Sequence, residues 1–162
     1  MKLLLVSTSY PEHAQDWQGI FIKNLLFSLV KRPGVSLSLW SPPGIIPEPV
    51  AYVPRPEETT WLKQMMVSGG IAQILRTKGI RGIGTGLKLL TLLRRAYSRS
   101  RDADVVHVNW LQNALPLWGI RKPAVISVLG SDFGLLSLPG MTRLLRSVIS
   151  QRKCILAPNG EW

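Results

Sequence analysis

Three short aliphatic runs decide the fold: DVVHVN at residues 104–109, AVISVL at 124–129 and KCILA at 153–157. A short helical pattern at 112–118 separates the first two, and a longer one at 141–150 separates the last two. Near-continuous Val, Ile and Leu is typical of strands buried on both faces, and alternation with helices is typical of parallel sheets. We therefore predict an α/β fold, a Rossmann-like doubly wound parallel sheet with helices on both faces.

The first hundred residues fit the same plan. LLLV at 3–6 predicts a strand, a helical pattern begins near Gln18, and VSLSLW at 35–40 predicts a second strand. Residues 42–56 contain six prolines, which predicts a loop or an extended edge because proline cannot donate to a central ladder. Residues 61–99 predict two helices, with 69–70 and the glycine-rich 79–86 as breaks.

Length and composition indicate one folded domain spanning 1–162. Hydrophobic residues make up 46% of the 162 residues and charged residues 18%, which excludes the composition of a disordered chain. One cysteine (Cys154) and two histidines (His13 and His107) favour a reducing, cytoplasmic setting and argue against a disulfide or a protein-built zinc site. The sequence contains no run of about 18 apolar residues, so no membrane span is predicted.

The net charge of +11 predicts an anionic partner. Residues 59–101 contain no acidic side chain. Six basic residues of this stretch are the candidate anion-binding set: Arg76, Lys78, Arg81, Lys88, Arg94 and Arg95. Beside amphipathic helices they predict peripheral docking on an anionic membrane, and a solvated charged face is the alternative. A nucleic-acid-binding module is a further alternative, but no helix-turn-helix, zinc-finger or RRM signature is present.

Ligands of such sheets bind at the carboxyl ends of the strands, which directs attention to three loops, at 7–19, 109–113 and 130–133. In the first, Gly19 lies at a helix N-terminus that could hold a phosphate, or it is an ordinary helix start. In the second, Asn109 lies nearer the strand end than His107 and is better placed to contact a ligand. His107 is either a catalytic residue or a buried histidine that is hydrogen-bonded to the backbone.

The third loop, Gly130-Ser131-Asp132, directly follows a predicted buried strand, so its hydroxyl and carboxylate could bind sugar hydroxyls. Alternatively, Asp132 caps the next helix. Ser131 lacks the glycines of a nucleophile elbow, and residues 79–86 fit neither the dinucleotide nor the P-loop spacing.

The Ser/Pro loop after the first strand, the Gln18-Gly19 helix start, DVVHVNW and VISVLGSDF together resemble the N-terminal domain of GT-B glycosyltransferases. Among these the chain is most similar to the large retaining family, glycosyltransferase family 4-like, that includes lipopolysaccharide, capsule and glycolipid transferases. The resemblance implies transfer from a nucleotide-sugar to a polysaccharide or glycolipid acceptor. This chain would supply the acceptor-binding domain, and a C-terminal donor-binding domain, absent here, would be needed for activity.

The resemblance also implies residue roles. Gly19 would approach the donor diphosphate, with Gln18 in place of the family's first glycine, and the loops of Asn109 and Gly130-Ser131-Asp132 would line the acceptor side. The family's sugar-contacting histidine is matched by Asn109. No catalytic residue is assigned in this chain, and no metal or other cofactor is implied, since the donor phosphate assists acceptor deprotonation. A complete nucleotide-binding α/β protein remains an alternative, because fold alone does not define function.

Overall fold

The computed structural model describes residues 1–13, 15–130 and 133–158, without the side chains of residues 78, 80, 81, 133 and 135. Its strands are β1 (Lys2–Val6), β2 (Ser36–Trp40), β3 (Ala51–Tyr52), β4 (Val105–Asn109), β5 (Ala124–Val128) and β6 (Cys154–Pro158). Its helices are α1 (Ile20–Val30), α2 (Pro56–Val67), α3 (Gly70–Lys78), α4 (Ile80–Arg99), a 3₁₀ helix (Leu111–Leu117), α5 (Phe133–Leu136) and α6 (Met141–Ser150).

All six strands form one parallel sheet in the order β3-β2-β1-β4-β5-β6. The predicted α/β, Rossmann-like fold is confirmed. The order reverses between β1 and β4, and at such a switch point the loops after the two strands part and leave a crevice. The proline-rich segment contributes only the two-residue β3 at the outer edge, as its missing backbone donors predict.

Two apolar cores cover the two faces of the sheet, because alternate residues of a strand point to opposite sides. Leu4 and Val6 of β1 belong to the larger core, which includes residues from α2, α3, α4, the 3₁₀ helix and α6. Leu3 and Leu5 belong to the smaller core, which α1 covers. Helices therefore lie on both faces, and the strand ends are left for loops.

The prediction for the central helices is partly wrong. The helical region begins at Pro56, and it forms three helices instead of two. Gly79, with a φ of +49°, makes the turn between α3 and α4, but Gly82, Gly84 and Gly86 lie inside α4. A Cβ on Gly82 would lie 3.0 Å from the Ile74 carbonyl oxygen, so this glycine allows α3 and α4 to pack closely and does not break a helix.

A buried carboxylate joins α2, α4 and β2. Arg99 donates to Glu58 through both terminal nitrogens, at 2.9 and 2.6 Å, and the Glu58 side chain is only 3% exposed. The Trp40 indole and the Arg55 backbone N–H also donate to Glu58, at 3.3 and 3.2 Å. Burial alone would raise the pKa of Glu58, but these donors outweigh it and hold the pKa below its ordinary value.

Candidate functional site

Gly19 connects the loop after β1 to the start of α1. Its φ is +75°, and a Cβ at this position would lie 2.9 Å from the backbone carbonyl of Ser9. Only glycine fits there, so the close approach of two backbone segments explains the residue without a ligand. The same geometry leaves the first turn of α1 facing the carboxyl edge of the sheet, and a phosphate contact of Gly19 stays a prediction.

Two cavities adjoin at this edge, one on each side of the loop. The Glu12 cavity, about 320 Å³, lies between the loop, the segment after β2 and α2. The Gly19 cavity, about 330 Å³, lies between the loop, the start of α3 and the segment after β4. Trp17, Gln18 and Met66 line both. Gln18 and Gly19, two of the predicted substrate-binding residues, are among the lining residues.

The Glu12 cavity combines ionisable groups with an aromatic wall. Asp16 is held in place because the backbone N–H groups of Glu12 and His13 donate to its Oδ2, both at 2.9 Å. Lys63 of α2 donates to the Glu12 carboxylate across the cavity. Trp17 is 78% exposed although it is a large apolar side chain. This arrangement offers fixed acceptors and one donor beside a flat apolar surface, which suits a ligand rich in hydroxyl groups.

The Gly19 cavity is more apolar and includes a strained residue. Trp110, directly after β4, has a φ of +69°. This conformation is costly for a residue with a bulky side chain, and such backbone strain is typically found at functional sites. Its ring contacts that of Phe21 edge to face, with centroids 5.9 Å apart. Thr8, Ser9 and Gln112 supply the polar part of the lining.

Asn109 lies at the end of β4, as predicted, but it is only 1% exposed. Its Nδ2 donates to the Val6 carbonyl at 3.1 Å and so ties the ends of β4 and β1 together. Asn113, the last residue of the second loop selected from the sequence, donates to the Asn109 carbonyl at 2.7 Å and to the Thr8 hydroxyl at 3.2 Å. Neither Oδ1 atom accepts a hydrogen bond from any residue that the structure describes. A direct ligand contact of Asn109 stays a prediction.

The remaining strand-end residues are placed as follows. Gly130 follows β5 with a φ of +80°, and Ser131 and Asp132 lie outside the described residues. His107 is half-buried and within 2.9 Å of the Ser127 hydroxyl through Nε2, so its partner is a side chain of the neighbouring strand instead of the predicted backbone group. Burial lowers the pKa of His107.

The basic residues of α3 and α4 do not all face the same way. Arg76, Lys88, Arg94 and Arg95 are exposed, whereas Arg99 turns inward to Glu58. Lys88 lies over the Trp61 ring, 5.2 Å from its centroid. For Lys78 and Arg81 only the backbone is described, within α3 and α4 respectively.

An open groove of about 910 Å³ runs between α4 and the 3₁₀ helix. Leu87 and Leu115 line it, together with Arg94, Arg95 and Trp118. Arg94 and Arg95 were predicted as anion-binding residues; the apolar part of this surface was not predicted, because it needs a second element packed beside α4.

Within the described ranges, no three His, Cys, Asp or Glu side chains gather closely enough to hold a metal ion. Among the same residues, none of the helices combines the length and the apolar character that a membrane span requires. Comparisons with protein-family models, curated proteins and solved structures find no significant match to this chain.

Proposed function

We propose that this chain is the acceptor-binding domain of a glycosyltransferase that transfers a sugar from a nucleotide-sugar to a surface polysaccharide or glycolipid. A second, donor-binding domain completes the reaction cleft, and the chain acts at the inner face of the cytoplasmic membrane, which its basic helices contact. The acceptor hydroxyl and the anomeric carbon of the donor meet above the carboxyl edge of the sheet.

The observation that carries this proposal is the pair of adjoining cavities that share Trp17. A pyranose has apolar C–H faces and a polar rim of hydroxyl groups. An exposed indole accepts the first, while the fixed carboxylate of Asp16 and the Glu12–Lys63 pair bind the second. Volumes of about 320 and 330 Å³ lie at the lower end of the range for small-molecule sites.

The two cavities bind different parts of the reacting pair. The Glu12 cavity takes the acceptor sugar, because it holds the hydrogen-bonding groups. The Gly19 cavity, at the N-terminus of α1, takes the edge of the donor that carries the diphosphate, since the positive dipole end of a helix favours an anion. No side chain of this chain is assigned as a general base.

Saturation-transfer NMR with methyl β-D-glucopyranoside, methyl α-D-mannopyranoside and UDP tests the proposal on the 162-residue chain. We expect transfer to at least one glycoside and its loss in Trp17→Ala. Trp118→Ala is the matched control, because it removes another exposed tryptophan that lies outside both cavities. Absence of transfer to both glycosides, or equal transfer in the Trp17 variant, would overturn the proposal.

The same protein sample distinguishes the proposed function from the two alternatives that the sequence left open. A nucleic-acid module would bind a single-stranded oligonucleotide with a steep salt dependence and would show no response to the glycosides. A self-contained nucleotide-binding protein would bind UDP or another nucleotide tightly and independently of Trp17. Either result would replace the proposed function.

A further inference from the structure

Trp118 is an exposed tryptophan on a rigid loop. It directly follows the 3₁₀ helix and is 59% exposed. Arg94 of α4 donates to the carbonyl groups of Pro116 and Trp118, at 2.9 and 2.7 Å. Arg152, which follows α6, donates to the carbonyl groups of Leu117 and Ile120, at 3.0 and 2.8 Å. Four charge-assisted hydrogen bonds thus fix the backbone that carries the indole.

The surface beside Trp118 is apolar. Leu87 of α4 lines the same groove and is 59% exposed, and Ile83 lies one turn earlier on α4, also exposed. Residues four apart share a helix face, so Ile83 and Leu87 form one stripe that leads to the groove. Exposed apolar groups that are held together in this way mark an interaction surface, whereas scattered ones do not.

The charge around this surface has a single sign. Arg95 lines the groove and is exposed, and Arg121 is exposed three residues after Trp118. Neither segment that builds the groove carries an acidic residue: there is none in 59–101 and none in 105–131. An apolar ridge flanked by cations matches the interface of an anionic bilayer, where indoles lie at the headgroup level and Arg contacts phosphate.

We infer that Trp118, Leu87 and Ile83 form a wedge that inserts into the interface of an anionic membrane, with Arg95 on the lipid headgroups and Arg94 as the positioning residue that orients Trp118. This inference rests on the membrane contact in the proposed function and names its anchor. The occupant is a bilayer surface, and the charge complementarity argues for it against a second copy of this equally basic chain.

Co-sedimentation of the whole chain with vesicles tests the wedge, using phosphatidylcholine alone and phosphatidylcholine with phosphatidylglycerol. We expect binding to the anionic vesicles, a blue shift of tryptophan fluorescence, and a loss of binding by about tenfold in Trp118→Ala, as expected when an aromatic side chain is no longer buried. Trp118→Phe should restore most of the binding. Trp17→Ala, the matched control from the other edge of the molecule, should bind like the unchanged chain.

Substitution by lysine should affect membrane binding differently at Arg94 and at Arg95. Arg95→Lys should bind nearly as well as the unchanged chain, because charge alone suffices on headgroups. Arg94→Lys keeps the charge, but Nη1 donates both bonds and lies one bond farther from the backbone than a lysine Nζ, so the variant should lose these bonds, membrane binding and the fluorescence shift. Equal behaviour of the two lysine variants would overturn the positioning role.

Three results would overturn the wedge itself: equal binding to neutral vesicles, equal loss in the two tryptophan variants, or a dimer in solution that Trp118→Ala dissociates. Failure here is distinguishable from failure of the proposed function, because glycoside binding is measured at the other tryptophan and without lipid.

Discussion

Two arginines on α4, four residues apart, show how differently the same charge is used. Arg99 is turned inward and binds both oxygens of a carboxylate that is nearly inaccessible to solvent. Arg95 is exposed and lines an open groove. Arg99 holds three elements together, so its replacement should lower the free energy of unfolding. Arg95 is surrounded by solvent, so its replacement should lower the affinity for a partner instead.

The sharpest way to break this comparison is to remove the buried carboxylate. Glu58→Ala leaves Arg99 without its counter-ion and removes the acceptor of the Trp40 indole, and we expect a loss of about 3 to 5 kcal/mol in the free energy of unfolding. Urea unfolding followed by circular dichroism measures it. Glu57→Ala, on the exposed side of the same turn, is the control and should change the free energy by less than about 0.5 kcal/mol. Similar values for the two variants would contradict the assigned role.

An uncharged buried contact should have a smaller effect. Asn113→Ala removes the bonds to the Asn109 carbonyl and to Thr8, which connect the ends of β4 and β1, and we expect a cost of about 2 kcal/mol. Asn24→Ala, exposed on α1, should be near neutral in the same urea experiment. A neutral Asn113 variant would mean that the strand ends do not depend on this bridge.

The pH dependence of stability tests burial without changing the chain. The pKa of His107 lies below its ordinary value of 6.5, so the unfolded chain takes up a proton first as the pH falls. Stability present above pH 6.5 is therefore lost as the pH falls through the folded pKa. His107→Gln should flatten this slope in thermal unfolding between pH 7 and 5. An unchanged slope in the His107 variant would assign it to other groups.

The smallest expected change in stability is at Arg95. Arg95→Gln should alter the free energy of unfolding by less than about 0.5 kcal/mol, because an exposed charge on a helix contributes little. Arg99→Gln, on the same helix, should cost several times more. A large loss of stability in the Arg95 variant would show that Arg95, like Arg99, stabilises the fold and is not reserved for binding a partner.

Much of the candidate site could be predicted from strand ends. The rule that ligands bind at the carboxyl edge selected Gly19 and Asn109, the family resemblance added Gln18, and all three lie at that edge. It could not predict that Asn109 is buried, because this depends on how Val6 and Asn113 close around it. Nor could it find Lys63, which meets Glu12 of the first loop only when α2 folds over that loop, 51 residues away along the chain.

Trp17 and Trp118 show the same limit. A tryptophan in a polar loop directly before Gln18-Gly19 was a usable signal for a binding residue. Trp118, at the end of a short apolar segment, gave none, since its loop is held by Arg94 and Arg152, which are distant from it in the sequence.

The amino-acid sequence by itself determined the layer architecture, because strand and helix periodicities are local and the aliphatic runs can be buried only in a parallel sheet between helices. It also determined that the middle of the chain is basic. Which arginine is paired, which tryptophan is exposed and which polar groups converge were decided by the tertiary structure, since each depends on contacts between residues far apart in the chain.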